Sequence, residues 1–206
     1  MEERRPFSLL TDSLPDSIEL DGRRLEIYTD TMTALQCLTM IDDEDIPEAI
    51  RVSCVIEAMI KVSGEITPSE YVDAFSAILR FLKGYRVEGR RSSEQLLSYS
   101  QDHALIVASF RQAYGMGIED IQRTHWWEFQ ALLSGLPEDT RLSQVIALRG
   151  REIDPKAPPA EKMRLQKAKA LVRIRKRKRK GETGYDIVSR GLIEGDRMNG
   201  CRCNQD

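Results

Sequence analysis

The two tryptophans of this chain are adjacent, at positions 126 and 127, in a stretch whose apolar residues recur at helical spacing. Neighbouring side chains on a helix point about 100° apart, so the two indoles cannot easily share one buried face. The apolar stripe of Trp126, Phe129, Leu132 and Leu133 predicts a core helix, with Gly135 as a left-handed C-cap. Trp127 is then left for a second surface, and we expect that surface to meet a partner.

Composition predicts one helical domain in the cytoplasm. Of 206 residues, 41% are hydrophobic and 31% are charged, while only 6% are aromatic, which is enough apolar residue to bury a core. No apolar run reaches 18 residues, and the charged N-terminus leads into no apolar signal segment. Cys37 and Cys54 lie in apolar helical patterns and are predicted to be small core residues, whereas Cys201 and Cys203 lie in the last six positions.

The first 150 residues carry the patterns of a β-hairpin followed by helices. Apolar and polar residues alternate on both sides of Asp21-Gly22, which is the strongest short-range hairpin signal. Thr67-Pro68-Ser69-Glu70 has the pattern of a capping box at a helix start. The helices are predicted near residues 35–41, 47–62, 67–84, 98–114, 126–134 and 139–148. We therefore predict a mainly α fold, a compact domain of five to six helices with an N-terminal β-hairpin over residues 1–150.

Charge divides the chain into an acidic body and a basic tail. Residues 160–180 hold eleven Lys or Arg and one acid, whereas the remainder holds 20 basic and 32 acidic residues. A Pro-rich linker is predicted at 151–160, followed by a basic amphipathic helix and a partly disordered tail over 161–206. The tail is either solvated or docked on the acidic body, or it binds nucleic acid or another partner. The candidate nucleic-acid-binding residues are Arg173, Arg175, Lys176, Arg177, Lys178, Arg179 and Lys180.

The sequence contains no residue pattern typical of a catalytic or metal site. The only histidines, His103 and His125, have no metal-ligand spacing, and Asp42-Asp43-Glu44-Asp45 lacks the glycine and glutamate of a calcium loop. Asp102-His103 is interpreted as a solvated or capping pair, and His125 as a ring that hydrogen-bonds within the helix packing. We expect no catalytic, cofactor-binding or metal-binding residue, so the chain is predicted not to be an enzyme.

Residues on both sides of the tryptophans resemble a known family. The block around them contributes Tyr114, Gly115, Gly117, Ile118, His125, Trp126, Trp127, Phe129, Ala131, Leu132, Leu133 and Gly135-Leu136-Pro137-Glu138-Asp139-Thr140. Upstream residues add Asp102, Ile106, Ser109, Phe110 and Ala113, together with Leu10-Thr11-Asp12, Leu14-Pro15, Ile18 and Leu20-Asp21-Gly22. The pattern resembles the "bacteriophage gene product fifteen" family of tailed phages and prophages of Gram-positive bacteria, over roughly residues 7 to 150. It departs at Asp30-Thr31-Met32, where members tend to have Asp-Phe-Arg.

The resemblance implies a role in phage tail assembly, because members are typically encoded beside the tape-measure gene. Within that setting we interpret the chain as a chaperone that binds the tape-measure protein, with other tail proteins as a second class of partner and no membrane partner. The candidate partner-binding residues are Tyr114, Met116, Trp127, Glu128 and Glu138. Two alternatives stay open: a nucleic-acid-binding accessory protein acting through the basic tail, and a minor structural component of the finished, virion-associated tail.

Overall fold

The computed structural model describes residues 7–43, 45–62, 66–84 and 95–175. These residues are mainly helical and begin with a two-stranded hairpin, which confirms the predicted fold class. The strands are β1 (Ser17–Leu20) and β2 (Arg23–Glu26). The helices are α1 (Thr31–Ile41), α2 (Glu48–Met59), α3 (Tyr71–Lys83), α4 (His103–Tyr114), α5 (Ile118–Arg123), α6 (Trp126–Ser134), α7 (Arg141–Gly150) and α8 (Pro159–Leu171).

Contacts within the chain form two compact units, a division that the sequence did not predict. Among the described residues, the first unit spans 7–84 and the second spans 95–175. The first contains the hairpin and α1 to α3, and the second contains α4 to α8. The basic helix predicted after residue 160 corresponds to α8, which begins at Pro159, inside the predicted linker, and belongs to the second unit.

The hairpin turns at the two residues that predicted it. Ser17 pairs with Glu26 and Leu20 with Arg23, so two residues join the antiparallel strands. Asp21 has φ 48° and Gly22 has φ 76°, both in the left-handed region that a tight two-residue hairpin turn requires. A two-stranded ribbon is marginal by itself. Here residue 60 forms an antiparallel bridge with residue 27, so the chain after α2 covers the outer edge of the hairpin.

The helices of the first unit begin and end at identifiable caps. Asp30 precedes α1, and its carboxylate accepts hydrogen bonds from the amide and hydroxyl of Thr33. Glu70 accepts from both the amide and the hydroxyl of Thr67 at the short 3₁₀ turn before α3, where the capping box was predicted. At the other end of α1, the buried Arg51 of α2 donates to the carbonyl of Ile41 at 2.9 Å. This bond fastens α2 to the negative end of α1.

Two helix predictions in the first unit were wrong in detail. The helix predicted over 47–62 ends at Met59, because Ile60 adopts an extended conformation that lets it pair with the hairpin. The spacing of Ile50, Cys54, Ala58 and Val62 predicts the inward face of this helix, and that prediction was also wrong. Ile50 and Val62 are more than half exposed, and the side chains that α2 buries belong to Arg51, Val55, Ile56 and Met59. Cys37 is fully buried as predicted, whereas Cys54 is only half-buried.

The second unit is built on an aromatic cluster from α4, α6 and the segment before α4. Phe129 stacks on both Phe110 and Trp126, with ring centroids 5.2 and 5.5 Å apart, and Tyr99 meets the edge of Trp126 at 5.8 Å. Trp126 and Phe129 are fully buried, which confirms the predicted core stripe. Such aromatic pairs stabilise a core beyond the area they bury.

Three boundaries in this unit differ from the sequence prediction. The helix predicted from residue 98 begins at His103, because residues 98–102 form a turn instead. The short helix α5 was not predicted. Gly135 does end α6, but with φ −91° it is not the left-handed cap expected there; Gly115, which ends α4 with φ 70°, has that conformation.

Several predicted features lie outside the described residues. They are Gly64, which the sequence predicts as the C-cap of the helix over 47–62, and residues 85–93, whose lack of periodicity predicts a surface loop. The others are the basic residues Lys176, Arg177, Lys178, Arg179 and Lys180 and the terminal Cys201 and Cys203. In the part of the chain that the structure describes, no helix is long and apolar enough to cross a membrane.

Candidate functional site

Tyr114 and Met116 lie where α4 gives way to the glycine turn. Tyr114 is about one-third exposed; its hydroxyl donates to the carbonyl of Leu132 at 2.8 Å, and its ring meets the edge of Phe110 at 5.6 Å. Met116 is half-buried and Ile118, two residues on, is more than half exposed. Tyr114 therefore has a structural hydrogen bond and an exposed edge at once.

Trp127 and Glu128 lie in the first turn of α6. The amide of Trp127 donates to Nδ1 of His125, which confirms that this ring caps the helix within its packing, and the two rings meet edge to face at 6.5 Å. Trp127 is half-buried, unlike the enclosed Trp126, and Glu128 is exposed. The two indoles thus have different surroundings, as their 100° separation on a helix requires.

Three of the predicted partner-binding residues lie at α6: Trp127 and Glu128 belong to its first turn, and Tyr114 contacts its last turn. Tyr114 contacts the last turn of α6, and the turn that follows α6 carries Glu138 next to Asp139, which accepts a hydrogen bond from Gln112 of α4 at 3.4 Å. Trp127 lies five residues before Leu132, about 7.5 Å along the helix axis. Trp127 with Glu128 therefore lies near one end of α6, and Tyr114 lies near the other end, which the turn with Glu138 follows.

A buried ion pair, which the sequence analysis missed, joins α7 to the start of α4. Arg149 donates to both oxygens of Asp102, at 2.6 and 2.8 Å, and its guanidinium also donates to the carbonyls of Leu96 and Val172. Of the two interpretations of Asp102, solvated or capping, the solvated one was wrong, because Asp102 is 3% exposed; it does occupy the capping position before α4, but without a side-chain capping hydrogen bond. No local pattern could have found this pair, because its members are 47 positions apart.

The ion pair perturbs the carboxyl group of Asp102. Burial raises the pKa of Asp102, but the hydrogen bonds from Arg149 and from the Ser98 amide, with the charge of Arg149, outweigh burial. The pKa of Asp102 therefore lies below its ordinary value of 3.8. The pair holds three segments together, since Arg149 also binds the carbonyls that precede α4 and follow α8.

The start of the basic run is docked through its backbone rather than its charges. Arg149 binds the carbonyl of Val172 at 2.6 Å, while the side-chain amide of Gln101 exchanges two hydrogen bonds, both 2.9 Å, with the backbone of Arg175. The side chains of Arg173 and Arg175 are exposed. Docking therefore leaves these two positive charges available to other molecules.

Among the described residues, no group of three or more His, Cys, Asp or Glu side chains could hold a metal ion. Burial raises the pKa of the Cys37 thiol to about 11, so this sulfur is a poor nucleophile at neutral pH.

The sequence matches one known protein family over most of its length. A family described as "Bacteriophage Gp15 protein" matches residues 10–174. The chain belongs to this phage protein family. The match runs from the hairpin through α8, so the Gp15 family pattern includes both units and the docked start of the basic run. No curated protein and no solved structure matches significantly.

Proposed function

We propose that this Gp15 family member is a tail-assembly chaperone that binds the tape-measure protein during tail morphogenesis. The observation that carries the proposal is the surface at α6, where half-buried or partly exposed apolar side chains adjoin acidic ones. Trp127 lies beside Glu128 at one end, and Tyr114 lies near the turn with Glu138 at the other. Family membership supports the phage setting.

Such a surface suits recognition of an amphipathic helix. A tape-measure protein presents long apolar helix stripes, and a partner covers them by laying apolar side chains along the stripe. Aromatic residues at a partly exposed position contribute large contact area, and acidic neighbours favour a partner with basic flanks. Each contact is expected to be weak, because tail subunits must later displace the chaperone.

Co-expression tests the proposal. The full chain is produced with helical fragments of the tape-measure protein encoded beside it, and the soluble fragment that co-purifies is measured. Trp127→Ala is expected to lose most co-purification, whereas Val72→Ala, which removes an exposed apolar side chain from the first unit, retains it. The outcome against the proposal is equal recovery with Trp127→Ala and the parent chain.

The thermal stability of Trp127→Ala separates binding from folding. Truncating the enclosed Trp126 is expected to cost about 3–5 kcal/mol, and the half-buried Trp127 clearly less. If both substitutions lower the melting temperature equally, Trp127 is a core residue and its proposed contact with the partner fails.

A second candidate function, nucleic-acid binding through the basic run, is favoured by the exposure of Arg173 and Arg175. Lysine and arginine side chains that neutralise phosphates release counterions, so such binding weakens steeply with salt and has little sequence preference. Replacing the basic residues of 173–180 by glutamine in the full chain tests it. Co-purification that disappears with this variant, or with nuclease, would favour this function over the chaperone proposal.

A further inference from the structure

A cavity of about 400 Å³ lies in the second unit, lined by α8, the end of α7, the residues that follow each of these helices and the segment before α4. Its volume is at the lower end of the range of about 300–1,000 Å³ that is typical of ligand pockets. Its lining combines positive, amide and aliphatic side chains: Gln95, Arg149, Ile153, Gln166, Lys169, Ala170, Arg173 and Ile174. None of these eight residues is acidic.

One of the three cations is already neutralised. Arg149 binds both oxygens of Asp102 and two backbone carbonyls, so its charge is compensated within the protein. It contributes a rigid wall to the cavity rather than a free positive charge.

The other two cations have no compensating carboxylate among the described residues. Lys169 donates to the neutral carbonyl of Arg151 at 2.9 Å, which leaves its charge and two of its three donors unused. Arg173 is exposed and makes no hydrogen bond or ion pair with a described side chain. Arg149 and Gln101 bind the backbone of Val172 and Arg175, in the same stretch of chain as Lys169 and Arg173. This stretch is therefore held without using the charges of Lys169 and Arg173.

The remaining walls indicate what kind of anion fits. Ile153, Ala170 and Ile174 are aliphatic, while Gln95 and Gln166 supply amide groups that can bind oxygen atoms. None of the described residues that line the cavity is aromatic, so a nucleic-acid base would find no ring among them on which to stack. We propose that this cavity is a binding site for an aliphatic carboxylate, held by Lys169 and Arg173 with its hydrocarbon against Ile153, Ala170 and Ile174.

An aliphatic carboxylate has two sources, a free small acid or an acidic side chain beside a leucine on a protein segment. Nuclear magnetic resonance of the ¹⁵N-labelled full chain distinguishes them with two probes. The first is glutarate; the second is a helical peptide of about 18 residues with Glu and Leu four positions apart, long enough to be partly helical. A peptide with Gln in place of Glu is its control. The backbone amides of Gln166, Ala170 and Ile174 are expected to shift saturably with at least one carboxylate probe.

Three variants connect the shifts to the cavity. Arg173→Gln removes one free cation and is expected to weaken binding about tenfold, which corresponds to about 1.4 kcal/mol. Arg175→Gln is the matched control, because that side chain is exposed two residues away and does not line the cavity. Ala170→Leu fills the cavity without changing charge, keeps a good helix former, and should block both probes.

The two sources give different results, and each supports the site. Glutarate binding without peptide binding indicates a free acid, whereas tighter binding of the Glu peptide, lost in the Gln peptide, indicates a protein segment. The proposal is overturned if neither probe gives saturable shifts, or if Arg175→Gln weakens binding as much as Arg173→Gln. It is also overturned if adenosine monophosphate shifts the same amides more tightly than both carboxylates. The site does not depend on the chaperone proposal, because the two surfaces share no residue.

Discussion

Replacing Arg149 by alanine is expected to destabilise the second unit by about 3–5 kcal/mol. The substitution leaves the Asp102 carboxylate buried without its partner, and breaking a buried pair from one side typically costs this much. Two carbonyls, of Leu96 and Val172, lose a donor as well. In a unit of this size, each kcal/mol lowers the melting temperature by about 4–8 °C, so a drop of at least about 12 °C is expected.

Tryptophan fluorescence during urea unfolding measures this change. Trp126 and Trp127 both lie in the second unit, so the signal follows that unit rather than the first. Glu119→Gln is the matched control, because Glu119 pairs with Arg123 on α5 while both side chains are more than 80% exposed. Its expected effect is within about 0.5 kcal/mol. A loss below about 1 kcal/mol in Arg149→Ala would refute the reasoning, since it would mean that the pair behaves like a surface pair.

The decline of folding stability at acid pH supplies a second measurement of the ion pair between Asp102 and Arg149. Because the pKa of Asp102 is lowered in the folded chain, its contribution is present above its ordinary pKa of 3.8 and is lost as the pH falls through the lower folded value. Asp102→Asn is expected to lower stability at neutral pH and to flatten the decline below about pH 4. An unchanged decline in this variant would mean that other carboxylates cause the acid sensitivity.

Four further substitutions test the fold. Gly115→Ala is expected to cost about 1 kcal/mol because φ is 70° there, whereas Gly135→Ala, at φ −91°, should cost less, so equal melting temperatures would contradict the assignment of the left-handed cap. Asp30→Ala removes the acceptor of two hydrogen bonds from Thr33 and should cost about 1 kcal/mol in thermal unfolding. Phe129→Ala opens the aromatic cluster and should cost about 3–5 kcal/mol by urea unfolding, and a loss under 1 kcal/mol would show that the cluster is not the core.

Features set by neighbouring residues could be predicted from the sequence. Asp21-Gly22 predicted the hairpin because the turn needs two positive φ angles that few other residue pairs adopt. The capping box at Thr67 and Glu70 predicted where α3 begins for a similar local reason. In α6, the spacing of Trp126 and Phe129 was enough to place both in the core.

Features set by distant contacts could not be predicted in this way. The apolar residues of α2 occur on several sides of the helix, so their spacing does not determine which side faces the core. The buried side includes the charged residue Arg51. The pairing of Asp102 with Arg149 depends on a contact between α7 and the start of α4. The cavity proposed as a carboxylate site depends on where α8 packs, because its lining comes from three separate segments of the chain.

Residues 172–175 are bound through their backbone, so their side chains can be substituted without loss of this attachment. Carbonyl and amide groups belong to every residue, so the side chains of Arg173 and Arg175 could be exchanged for others while the attachment to Arg149 and Gln101 remains. Proline at 175 is the exception, because it lacks the N–H that Gln101 accepts. An engineer could therefore rewrite the charge of this segment, or append a label to it, without detaching it from the protein.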